Sequence, residues 1–320
     1  MRLIMRCLAA ALALGSANPA WPRRGYPNKP VKLVVGLPPG SAADVIARII
    51  APKLGEGLGQ PVVAENRPGA GSTFAAEAVA RSPADGYTLF LSGTPNTFNV
   101  SLFKLAFDFS SDLAPIALVA EAPGLLVAHP SAPGTVRELI ASAKAKPGEI
   151  FYASSGNGTI VHLWGELFNV VAGVKLTHVP YKGSAPAATD LMAGRVALQF
   201  TPASTVVSHV KAGRLKALAA IGRQRLAALP EVPTLAESGI AGFEASLWFG
   251  LNAPAATPPN VIERLERETI RILSRPDIKT QFAAQSIDVA PGSSEQFRAL
   301  IRQETEKWAK VVKAAGLTVD

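Results

Sequence analysis

Cysteine is all but missing. The single one, Cys7, lies in the N-terminal leader described below. A chain that sheds that leader has neither a disulfide framework nor a thiol nucleophile. Charge is also sparse, at 18% of residues against 48% hydrophobic, which excludes a disordered chain. No apolar run reaches the roughly 20 residues that span a bilayer. Glycine and proline are plentiful but follow no collagen-like period, and no internal repeat suggests a solenoid.

Several chemistries lack their motifs. There is no Walker A sequence, and Lys182-Gly183-Ser184 has the wrong order for one. Gly156-Asn157-Gly158 and Gly69-Ala70-Gly71 begin as G-x-G but have no third glycine, so the dinucleotide fingerprint is incomplete. No G-x-S-x-G elbow is present. His129, His162, His178 and His209 form no i, i+4 metal pair. The net charge of +8, from 32 basic and 24 acidic residues, is spread along the chain without interleaved aromatics. That argues against nucleic acid as a partner.

What is present starts with a leader. Arg2 and Arg6 precede the short apolar run Cys7–Leu14, and small residues offer cleavage after Ala17 or Ala20. This is the pattern of a secretory signal peptide. The expectation is export, with 1–25 as leader. The apolar stretch follows Cys7 instead of preceding it, which argues against a lipid anchor there.

The 320 residues suggest two domains at about 150 each. β-branched runs at 31–35, 60–65, 87–91, 149–152, 176–179, 196–200 and 215–220 alternate with helical patterns. That rhythm predicts an α/β fold with mostly parallel sheets flanked by helices. Later, Pro258-Pro259-Asn260 opens a helix to about Leu273, and Ser293–Gln296 reads as a capping box for a final helix.

Ligands of such sheets sit beyond the carboxyl ends of the strands, and the loops there are distinctive. Leu37–Asp44 joins a strand to a helix, with Ser41 placed as N-cap and Asp44 three residues on. Gly40 permits close backbone approach, and the helix start attracts anions. The reading of Asp44 is a cap whose carboxylate turns back toward N–H groups. Leu91–Thr97, Ala153–Thr159 and Val179–Ser184 are similarly rich in Gly, Ser, Thr and Asn. Singly each is ordinary turn chemistry; together they are the parts of a cleft binder. His162 falls in the first turn after Ala153–Thr159.

A run of motifs then resembles a known family. Tyr26-Pro27-x-Lys29-Pro30, Pro38-Pro39-Gly40 with Asp44, Leu58–Val63, Glu65–Gly71 and Pro83-x-Asp85-Gly86-Tyr87 occur in order. Val179–Gly183, Val232–Leu235 and Trp248–Leu251 follow. They look like the substrate-binding proteins of tripartite tricarboxylate transporters, the Bordetella uptake gene type. The resemblance implies a two-lobed periplasmic-binding-protein (Venus-flytrap) fold, each lobe a mostly parallel sheet flanked by helices. It implies one lobe of 26–122 plus 246–320, a second of 123–245, and hinge crossings near 120–124 and 240–247.

It further implies a small carboxylate held between the lobes, with no cofactor, metal or catalytic group. Carried onto this chain, the first-lobe contacts are Pro39, Gly40, Ser41, Ala42 and Asp44, with Ser72 and Thr94. Those of the second lobe are Ser154, Ser155, Gly156, Thr159, His162 and Tyr181. Ser41 replaces a frequent second glycine, Gly36-Leu37 replaces Pro-Phe, and Thr201 stands where the family often has aspartate. Thr201 joins the candidate contacts, and its lack of charge favours a plain carboxylate over an amino acid. The implied protein is a periplasmic monomer that serves membrane permease subunits. The alternatives are an exported enzyme acting on a carboxylic ester or amide in the same cleft, or a ligand sensor docking on a signalling partner.

Overall fold

The computed structural model describes residues 25–243 and 245–317. The expected cleavage sites and Cys7 lie outside the described residues. In chain order the elements begin with β1 (Val31–Val35), α1 (Ala42–Leu58), β2 (Val62–Asn66), a 3-10 turn at Ala70–Ser72, α2 (Thr73–Ala80), β3 (Thr88–Gly93), α3 (Pro95–Leu102), β4 (Leu113–Ala122) and β5 (Gly124–Ala128). They continue with α4 (Val136–Ala145), β6 (Phe151–Ser154), α5 (Ile160–Ala172), β7 (Thr177–Pro180), α6 (Ser184–Met192), β8 (Leu198–Pro202), α7 (Ala203–Lys211) and β9 (Lys216–Ile221). The last are β10 (Leu247–Pro254), α8 (Pro259–Leu273), α9 (Pro276–Ala284), β11 (Asp288–Gly292) and α10 (Ser294–Ala314). Among the described residues no helix is long and apolar enough to cross a membrane.

The strands form two sheets, ordered β11-β4-β10-β3-β1-β2 and β7-β6-β8-β5-β9. β1 pairs in parallel with β2 and β3, and β6 with β7 and β8. Each of these pairs comes from a helical crossover, as the alternating pattern predicts. The remaining pairs are antiparallel, so the sheets are mixed and the expectation of mostly parallel sheets is corrected. The reason is the chain path. β4 leaves the first sheet and β5 enters the second with only Pro123 between them, and proline cannot donate to either ladder. β10 brings the chain back and lies antiparallel beside β4, Leu247 opposite Ala122. Gly124 of β5 lies opposite Ile221 of β9. The outgoing and returning strands are therefore neighbours on both sides of the passage.

Buried side chains fill the space around these sheets. β1 buries Val31, Leu33, Val34 and Val35 completely, so it reads as a continuous apolar run because both its faces are covered. One apolar cluster continues from β1 and α1 through Trp164, Phe168 and Phe200 of the second half. α10 packs on α3 and β4 and also on α5, and Trp308 meets Phe98 edge-on. This helix touches both halves. At the passage itself, a Cβ on Gly124 would come within 2.7 Å of the Trp164 ring. The indole occupies the space a side chain would need.

Candidate functional site

The first candidate loop is set by the start of α1. Ser41 is the N-cap: its hydroxyl accepts the Asp44 N–H at 3.3 Å. Gly40, with φ at 81°, turns its N–H onto Asp44 Oδ2 at 2.9 Å. Arg48, one turn on, donates to both carboxylate oxygens at 3.0 Å and to Asn66, which in turn donates to Leu37 O. The Arg48 guanidinium, aided by the Gly40 N–H, holds the buried Asp44 carboxyl below its ordinary value despite burial. Asp44 thus points back into the loop with its charge matched. Ser41 N–H bonds Pro38 O. The N–H groups of Ala42 and Ala43 are first-turn donors with no intrahelical partner, and they have no hydrogen bond among the described residues. They are the open donors of this loop.

Two neighbours flank it. Ser72 is buried against Gly36 and sits at φ 81°, the last of three consecutive left-handed residues after Ala70 and Gly71. Asn99 clamps that turn by donating to Gly71 O at 2.8 Å. Thr94 is fully buried. Its hydroxyl donates to Ser246 O at 3.0 Å and accepts the Trp248 N–H at 2.9 Å. With both capacities engaged, Thr94 fastens the loop after β3 to the returning strand instead of offering a free group.

In the second half, the loop after β6 rests on a buried polar cluster. Ser154 is fully buried. Its oxygen accepts the Gly156 N–H at 3.1 Å and lies 2.6 Å from His178 Nε2. His178 stacks on His162, ring centroids 3.7 Å apart and planes within 10°. His162 Nδ1 accepts the Gly158 N–H at 3.1 Å, which leaves its proton on Nε2, 3.8 Å from Glu166 Oε1. Tyr152 donates to the same carboxylate oxygen at 2.6 Å. Burial pushes the His178 imidazole down to about 3, with His162 adding to the effect. His162 is lowered by burial too, with Glu166 opposing. Both rings are neutral at ordinary pH. The Ser154–His178 distance matches a nucleophile–base pair, but a fully buried hydroxyl occupied with its own loop is out of reach of a substrate.

Thr159 caps α5. Its hydroxyl accepts the His162 N–H at 3.4 Å and donates to Gly156 O at 2.7 Å. The N–H groups of Ser155, Ile160 and Val161 have no hydrogen bond among the described residues. Tyr181 N–H bonds Ser154 O, which ties the loops after β6 and β7 together. The Tyr181 hydroxyl donates to Asp190. Thr201 stands apart from this set, buried in β8 with its oxygen 2.8 Å from that of Thr205. Thr205 donates to Pro202 O, so Thr201 gives its proton to Thr205 and keeps only lone pairs to offer.

Sequence reasoning found both helix starts and the Ser41 cap, and missed Thr159 as the cap of α5. It missed Arg48, Asn66 and Glu166 as partners of the capping groups. It gave His178 no part in the site. The i, i+4 spacings of 44 with 48 and 162 with 166 were readable signals; the stacking across two strands was not. Among the described residues no group of three or more His, Cys, Asp or Glu is placed to hold a metal ion.

Residues 46–317 match the family model described as the tripartite tricarboxylate transporter family receptor. The chain belongs to this family. A curated relative of this receptor, Protein BugT of Bordetella pertussis, is 39% identical over 295 residues, 91% of this chain and 90% of its own. Among solved structures, the periplasmic binding protein BugD is 32% identical with a TM-score of 0.75, covering 92% of this chain and 100% of BugD. Rpa4515 of R. palustris, solved with adipate, is 34% identical with a TM-score of 0.78 and the same two coverages. The receptor is thus a binding protein of the periplasmic kind by family and by fold.

Proposed function

We propose that this receptor captures a small carboxylate between its two halves in the periplasm and hands it to a membrane permease. The observation that carries the reading is a pair of open helix starts, one beyond each sheet. Ala42 and Ala43 supply free N–H groups after β1, and Ile160 and Val161 supply them after β6. Such groups, with the helix dipole behind them, favour an anion. In this reading 26–122 plus 246–320 form one lobe and 123–245 the other, and the hinge is the adjacent strand passage near 120–124 and 240–247. Pro39–Ala43, Ser155, Gly156 and Thr159–Val161 contact the ligand. Asp44, Ser72, Thr94, Ser154 and His162 shape those loops from behind. Tyr181 borders the second loop, and Thr201 can only accept from a ligand donor. The adipate bound by Rpa4515 fits the same chemistry. Export through the Met1–Ala17 leader places the protein where such a ligand is met.

The test is a thermal-shift panel of succinate, adipate, malate, citrate and benzoate against the purified mature chain. A ligand that binds only the native state raises the midpoint by mass action. At least one carboxylate is expected to do so, and amines and neutral sugars are not. A panel in which no carboxylate shifts the midpoint counts against the reading.

A further inference from the structure

Among the described residues, three helices open in the same way. A glycine precedes a Ser or Thr N-cap, and the residue three positions after the cap reaches back to accept the glycine N–H. In α1 the acceptor is Asp44, bonded to Gly40 N–H at 2.9 Å. In α4 it is Glu138, bonded to Gly134 N–H at 2.8 Å. In α5 it is His162, bonded to Gly158 N–H at 3.1 Å. The device is a shifted capping box, and a carboxylate is its natural acceptor because the helix start is electropositive. α5 alone of these three uses a neutral ring.

The surroundings explain how each charge is managed. Glu138 caps an exposed helix start, where water screens it. Asp44 is buried, and Arg48 matches its charge. His162 is buried, with no cation beside it among the described residues. Its own helix brings Glu166, β6 brings Tyr152, and β7 brings His178. β8 and α10, the other elements packed on α5, contribute no charge that bears on either imidazole. A carboxylate in place of His162 would lie unmatched beside Glu166 and next to the open donors of Ile160 and Val161. It would compete with any anionic ligand for that helix start.

We propose that His162 is a specificity-determining positioning residue: it caps α5 without charge, stacked on His178, and so keeps the α5 start free for a ligand carboxylate. This rests on the carboxylate-binding reading above. The stack fixes the ring plane, and the Nε2–H tautomer leaves Nδ1 as the acceptor that the loop requires. His162 acts through Gly158 and does not touch the ligand.

The experiment compares His162→Gln with His162→Glu. Both can accept the Gly158 N–H, but only the second adds charge. Affinity is measured by calorimetry for whichever member of the carboxylate panel binds the wild-type protein. His162→Gln is expected to stay within about threefold of wild type, and His162→Glu to lose tenfold or more. The His162→Glu loss should shrink as pH falls toward 4 and the new carboxyl protonates. Equal affinity in the two variants overturns the inference while leaving the binding reading intact. A wild-type protein that binds no member of the panel overturns the binding reading itself, and the inference with it. If His162→Glu does not fold, nitrogen-15 shifts of the wild-type imidazole decide. A neutral Nε2–H tautomer at neutral pH is required, and a charged ring or an Nδ1–H tautomer there overturns the proposal.

Discussion

Asp44 illustrates how a single side chain can serve a ligand site by staying out of it. Its carboxylate is spent on Gly40 N–H and Arg48, so the loop keeps its shape and presents no net charge at its rim. Asp44→Asn retains an acceptor but loses the ion pair. It is expected to lower stability at pH 7 by about 0.5–1 kcal/mol, the scale of one partly buried i, i+4 pair. The sign with pH follows from the depressed carboxyl. Its stabilisation is fully present above the ordinary value of 3.8 and is lost as pH falls through the lower folded value. The gap between wild type and variant in urea denaturation should therefore close below that range and stay constant from pH 5 to 8. A gap that persists at pH 2 would mean the carboxylate acts by shape alone. The cap at Ser41 and Asp44 was legible from the sequence because capping is local. That Thr94 and Ser154 would have their hydroxyls filled was not, since their partners are Ser246, Trp248 and His178. These partners come from β7, from β10 and from the segment that enters β10.

At the scale of elements, the same contrast between local and distant signals holds. β1, β3 and β6 were legible as apolar runs because parallel strands are covered on both faces. β4, β5, β10 and β11 were not singled out as strands. Pro115 interrupts β4, Pro123 stands just before β5, Gly250 and Asn252 dilute β10, and Pro291 breaks β11. These strands owe their place to pairing along the passage between halves, which composition does not announce. The passage also sets a packing demand. Gly124 has room for no Cβ, because Trp164 and Ile221 close on it from both sides. Gly124→Val overpacks that point and is expected to cost about 1–3 kcal/mol or more, read as a lower midpoint in thermal unfolding. Trp164 lies on α5, five residues past its cap, so the variant should also disturb the Gly156–Thr159 loop and weaken carboxylate binding. A stable variant with full affinity would show that Trp164 can move aside without cost.

For the whole molecule, the question is what a ligand gains by touching both halves. One cluster of buried side chains links the two sheets, and α10 packs on α3 of the first and α5 of the second. The passage strands lie side by side, with only Pro123 separating β4 from β5. In the proposed reading this passage is the hinge, bending while the sheets stay rigid. A ligand held by Ala42 and Ala43 alone would bind open and closed forms equally and shift nothing. One that also meets the donors of Ile160 and Val161 gains its second set of bonds only on closure, so it favours the closed form. Small-angle scattering of the mature protein is expected to give a smaller radius of gyration with a saturating carboxylate than without. Tyr181→Ala removes a ring that packs on an apolar cluster of the second half and a hydroxyl that anchors Asp190. It should weaken binding and reduce the compaction together, since both depend on how firmly the second-half loop presents its donors. Tight binding with an unchanged scattering curve would mean that the empty protein already rests closed, and that affinity is set by the loops and not by the hinge.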